Sequence, residues 1–124
     1  MMRYSFIIAF VFVFAACSDG IKRKAKPIDL IPREQMVSTM SELIKLESYI
    51  QGHYPSVAQY YKVMINSGDS LLRTLSITKD QFERSLEYYG SHQDLMKGLY
   101  DEVLDCFNKE LGQLNAEIKE RKEN

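Results

Sequence analysis

From Pro32 to the end of the chain, apolar side chains recur at steps of three and four, the spacing that puts them on one face of a helix. Met36, Met40, Leu43, Ile44 and Ile50 mark the first such segment. Pro32, whose fixed φ suits a first helical position, predicts its start, and Gly52 and Pro55 predict its end after about Gln51. Ser56 is placed to cap a second helix, along which Val57, Tyr60, Tyr61, Met64, Leu71, Leu72 and Leu75 hold one apolar face. Asn66, Ser67 and Gly68 are poor helix formers in its middle, so a continuous helix and a kinked one both fit.

Thr78-Lys79-Asp80-Gln81 has the form of a capping box, with Thr78 accepting from the amide three residues on and Gln81 reaching back. It predicts a third helix with Phe82, Leu86 and Tyr89 inward, stopped by Gly90. Ser91 with Asp94 repeats the capping pattern more weakly and opens a fourth helix. Its stripe of Leu95, Leu99, Val103, Cys106, Phe107, Leu111, Leu114 and Ile118 is the most sustained in the chain, with Asp101, Glu102, Lys109, Glu110 and Glu117 beside it. The polar residues from Lys119 to Asn124 should fray. No segment alternates apolar and polar residues over a strand's length. The expectation is an all-α fold, a small bundle of three to four helices. Helices three and four form a rigid unit on which helices one and two pack, with Phe82 and Leu99 buried.

Ahead of the bundle the pattern changes. Arg3 is followed by an apolar run from Tyr4 to Phe14, then by Ala15, Ala16 and Cys17. The run is too short to span a hydrocarbon core about 30 Å thick, which takes roughly 20 helical residues. Small residues directly before a cysteine form a lipobox, in which the thiol takes a diacylglyceryl group and the new N-terminus is usually acylated too. Several acyl chains anchor where one would not. Phe14 departs from the pattern, which prefers Leu there. The expected organisation is a cleaved lipoprotein signal peptide at 1–16, the lipidated Cys17 with a flexible tether at 17–30, and a helical domain at 31–124. Lys22, Arg23, Lys24 and Lys26 fit either contact with anionic headgroups, at about 1 kcal/mol each, or a solvated linker. Ser18 is not the aspartate that commonly holds such proteins at the inner membrane. This predicts the outer membrane with the domain facing the periplasm, although Ser18-Asp19 partly resembles a surface-export tag.

Once Arg3 leaves with the signal, the domain carries 15 basic against 17 acidic side chains, a balance that gives no footprint for nucleic acid. Hydrophobic residues make up 45% of the chain, enough to build a core rather than a disordered segment. Cys106 is the one cysteine besides Cys17, so no intramolecular disulfide is available to the mature chain, and its place on the stripe reads as a small buried hydrophobe. His53 and His92 fall in separate turns, without the clustered ligands that a metal site needs. Ser70 and Ser85 lack a nucleophile-elbow setting, and Ser85 reads as a small residue that lets a neighbouring helix approach while its hydroxyl bonds a carbonyl one turn back. Asp101, Glu102 and Asp105 read as a solvated face. No catalytic residue, metal or cofactor is expected.

Leu30-Ile31-Pro32 with Met36, then Asp69-Ser70-Leu71-Leu72, Ile77-Thr78, Gln81-Phe82, Ser85 and Tyr88-Tyr89 form an ordered set of landmarks. Over roughly Pro27 to Leu111 the chain resembles the small Bacteroidetes lipoproteins grouped as the domain of unknown function 4296. The resemblance implies an envelope lipoprotein without an established activity, and it supplies no catalytic residues.

Two groups remain as candidate contact residues. In Tyr60-Tyr61 and in Tyr88-Tyr89 at most one ring can point inward, which leaves Tyr61 and Tyr88 as candidates for a partly exposed ring. Leu111, Leu114 and Ile118 continue the stripe of a fourth helix that should be longer than the first, so they either overhang the bundle or are covered by helix two or the tether. The expected function is a non-enzymatic helical interaction module, anchored in the membrane by lipid, that docks on an envelope protein partner. The alternative is a binding module for a small envelope ligand such as a glycan or peptide fragment. An exposed apolar strip favours the first, and a well-formed aromatic pocket favours the second.

Overall fold

The computed structural model describes Gly20 and residues 22–123. The expected signal peptide, Cys17 and the first residues of the tether other than Gly20 lie outside them. The described residues form four helices and no strand: α1 (Arg33–His53), α2 (Val57–Thr74), α3 (Lys79–Gly90) and α4 (Gln93–Glu123). The fold is therefore all-α.

Pro32 caps α1 rather than occupying its first turn, and its carbonyl accepts the first helical bond from the Met36 amide at 2.8 Å. Gly52 does not end α1. The helix runs on to His53 and stops at Tyr54, whose φ of −124° and ψ of 85° suit a residue that precedes a proline. α2 is continuous through Asn66, Ser67 and Gly68. At its end the Ile77 amide bonds the Leu72 carbonyl and the Ser76 amide bonds that of Arg73, the double closure of a Schellman motif. Leu72 and Ile77 are both buried, which supplies the apolar contact that accompanies this motif. Thr78 caps α3 as expected, accepting from the Gln81 amide at 3.2 Å. Gln81 does not reach back, because its side chain donates instead to the Asp29 carbonyl at 2.9 Å.

The main helix contacts join α3 to α4, α4 to α1 and α1 to α2. α2 thus attaches to α1 rather than packing on an α3–α4 unit, which corrects the expected arrangement. Leu99 is fully buried in the core with Met36, Val37, Met40, Leu72 and Val103. Phe82 is only half-buried, contrary to expectation, because α2 and α3 do not close over it. It lines a cleft of about 420 Å³ together with Leu43, Ile44, Met64 and Leu86.

The second half of the expected tether is fixed along α3. The Lys24 amide donates to Ser91 Oγ at 2.9 Å, Lys24 Nζ lies 3.4 Å from Glu87, and Asp29 pairs with Arg84. Ile31 is fully buried, its amide donating to Ser85 Oγ at 3.0 Å and its carbonyl accepting from the Tyr89 hydroxyl at 2.9 Å. Ser85 does let a neighbour approach, but that neighbour is this strap and not a helix. The strap thus supplies the hydrogen-bond partners that the buried hydroxyls of Ser85 and Tyr89 require.

Candidate interaction surface

The strap and α1 set the frame in which α4 is held. Arg33 at the start of α1 bonds Glu102 at 2.6 Å, and its guanidinium lies over Gly98, where an added Cβ would collide with Nη2. Twelve residues further along α1, Lys45 bonds Glu110 at 2.6 Å and sits 6.0 Å from the Phe107 ring centre. Both pairs advance in the same chain direction, so α1 and α4 run side by side with their C-terminal ends together. Glu110 and then Glu42 hold the Lys45 ammonium in its charged form and raise its pKa.

Beyond Lys45, α1 continues for two more turns, yet every residue of α4 from Asn108 to Glu123 is exposed. The end of α4 is therefore left uncovered by α1 although α1 does not stop at Lys45. It is not a simple continuation of the buried stripe either. Leu95, Leu99, Val103 and Cys106 face α1 and α3, whereas Leu104, Leu111 and Ile118 lie roughly a third of a turn away at about 100° per residue. Tyr100 and Leu114 belong to this outer arc, and its five side chains are 42% to 58% exposed. Scattered single exposures of apolar side chains are ordinary on a protein surface, whereas a continuous strip on a charged helix is not.

The tyrosines divide as the geometry of adjacent helical positions requires. Tyr89 is buried and Tyr88 half-buried, their rings edge to face at 5.6 Å. Burial raises the Tyr89 pKa, first among its causes. Tyr60 donates to Glu47 at 2.9 Å, which raises its pKa, and Tyr61 is exposed. Tyr54, Tyr60, Tyr61 and Val57 line an open depression of about 400 Å³ at the α1–α2 turn. Tyr61 and Tyr88 are not brought together: one lies by the α1–α2 turn and the other by the α3–α4 turn, at opposite ends of α1.

Other candidate chemistry stays dispersed. His53 bonds the Tyr49 carbonyl and His92 the Tyr88 carbonyl, each four residues back. Asp101 pairs with Lys97 and Glu102 with Arg33. Cys106 is half-buried and unpaired. Among the described residues no group of three or more His, Cys, Asp and Glu side chains could hold a metal ion, and no helix is long and apolar enough to cross a membrane.

The family model for the domain of unknown function DUF4296 matches residues 27–113. The chain belongs to this family. The match begins within the strap and ends inside α4, so it takes in the strap from Pro27 on, while Lys24 precedes it and Leu114 and Ile118 lie past its matched end. No curated protein and no solved structure matches the chain. Sequence reasoning found Leu111, Leu114 and Ile118 but missed Tyr100 and Leu104. The seven-residue spacing of Leu104, Leu111 and Ile118 was the signal that could have found the outer arc.

Proposed function

We propose that the protein is a lipid-anchored helical interaction module of the cell envelope, without catalysis of its own, that docks through the outer arc of α4. The exposed strip of Leu104, Leu111, Leu114 and Ile118 carries this reading. Acylation of Cys17, outer-membrane residence and a periplasm-facing domain complete it. They also give the strip a direction. Only six residues separate Cys17 from Lys24, the first hydrogen-bonded residue of the strap among the described residues, so the seven steps reach at most about 25 Å. Lys24 is bonded to Ser91 at the α3–α4 turn, so this end lies near the bilayer and α4 carries its apolar strip away from it, toward other envelope proteins.

The ligand-binding alternative rests on the depression lined by Tyr54, Tyr60 and Tyr61. It ranks second because that depression is wide open and the Tyr60 hydroxyl is already committed to Glu47. A photo-reactive residue at position 114, introduced into the full chain in cells, tests the leading reading. Discrete adducts are expected from position 114 and none from position 83 on the exposed side of α3. The Leu111→Asp, Ile118→Asp double variant should keep its helicity and urea midpoint while losing the adducts. Loss of fold in that variant would assign the strip to the core and remove the reading, as would an absence of adducts.

A further inference from the structure

Tyr100, Leu104, Phe107, Leu111, Leu114 and Ile118 follow one another at steps of four, three, four, three and four. This is the alternation of d and a positions in a heptad repeat, the pattern by which two helices supercoil about each other. Within the chain the seam is open: only Phe107 packs against the core, and the other five side chains face solvent. In this register Gly112 takes a b position on the outer side of the helix, where a missing side chain removes no contact. Glu110 and Glu117 take g positions and Lys122 an e position.

From this register we propose that the seam is covered by the same seam of a second copy, in a parallel two-stranded coiled coil over residues 100–122. The proposal rests on the interaction-module reading and names its partner. Charge sets the direction. In a parallel pair each g residue faces the e residue five positions further along the other helix, so Glu117 meets Lys122 of the second copy, twice by symmetry. An antiparallel pair would set g against g and bring Glu110 toward Glu117. Ile118 at a with Leu114 at d is the combination that favours two strands. Three heptads are few for a coiled coil, which makes the association weak in dilute solution. Anchored copies are confined to a plane, which raises their effective concentration, and a parallel pair keeps both N-terminal anchors on one side.

The test uses the full chain in its membrane, with Cys106→Ala as background. Ile118→Cys would face its own copy across the axis of a parallel pair, within the Cα separation of about 5.5–6 Å that a disulfide takes. Oxidation should convert most of this variant to a species of twice the monomer mass. Gln113→Cys, on the outer side of the helix, should stay monomeric, and the background alone controls for Cys17. Adding Glu117→Lys should lower the yield several-fold, and Glu117→Lys with Lys122→Glu should restore it. Dimer from Ile118→Cys no greater than from Gln113→Cys would overturn the proposal. A yield that does not fall with Glu117→Lys alone would also overturn it, since Glu117 and Lys122 would then not be facing each other. Position-114 adducts to a different protein, without the Ile118→Cys dimer, would remove self-association and leave the interaction-module reading standing. Absence of both would remove both.

Discussion

Ile31 is the residue on which the strap turns from linker to core. Its side chain is fully buried and both its backbone polar groups are engaged by α3, through Ser85 and Tyr89. Ser85→Ala would leave the Ile31 amide buried without an acceptor, a loss of about 1–3 kcal/mol that a urea titration would register. An unchanged midpoint would show that the strap does not contribute to stability. The sequence marked Ser85 and Tyr89 as facing a neighbour, but their partner, Ile31, lies 54 to 58 residues earlier at the junction of tether and first helix. Helical periodicity starts after it and so does not report what it packs against. Asp29 gives the strap a pH dependence. Its hydrogen bonds from Arg84 lower its pKa, so its contribution is complete above the ordinary carboxylate value of 3.8 and is lost as pH falls through the lowered one. Proteolysis within the strap should accelerate below about pH 4 in the wild type. Asp29→Asn should show fast cleavage already at neutral pH and a flatter profile.

At the scale of elements, the helices were legible and their ends were less so. The apolar face read for α2 holds from Met64 to Leu75, whereas Val57 and Tyr61 at its start are exposed, and nothing in the composition announces its stop. The stop is a serine, Ser76, held at a φ of 58°, the left-handed conformation that a glycine takes at no steric cost. The Schellman bonds and the burial of Ile77 against Leu72 over-determine that conformation. Ser76→Gly should therefore stabilise the protein by roughly 0.5–1 kcal/mol, read as a higher urea midpoint. A lower midpoint would mean that the serine makes a contribution its geometry does not reveal. The long stripe of α4 was equally visible, while its division into two arcs was not. Steps of three and four satisfy any arc of a helix, and only the covering neighbours decide which part of it is core. Gln81 illustrates the same limit: its capping-box spacing is local, but the strap carbonyl of Asp29 takes its side chain.

For the whole molecule, the periodicity gave an all-α bundle and the structure gives the order of helices within it, α3 to α4 to α1 to α2. Periodicity reports that a face is apolar and not which element covers it, which is why Phe82 reads as core yet borders an open cleft. The same blindness made the end of α4 readable as overhang or as covered core. The exposure of every residue from 108 to 123 resolves that choice within one chain and leaves a helical segment of 16 residues that the core does not cover, tied to α1 through Lys45 and Glu110. A helix of that length is marginal in water by itself. The central claim is that this segment is covered in the working state by a second copy of the chain, and it is tested most directly by amide hydrogen exchange. The membrane-extracted full chain would be reconstituted in vesicles at rising protein-to-lipid ratio and its exchange followed across residues 108–123. Protection should be slight when the chains are sparse and grow with density, while amides around Leu99 remain protected throughout. Protection of residues 108–123 that is the same at every density, or absent at every density, would contradict the account.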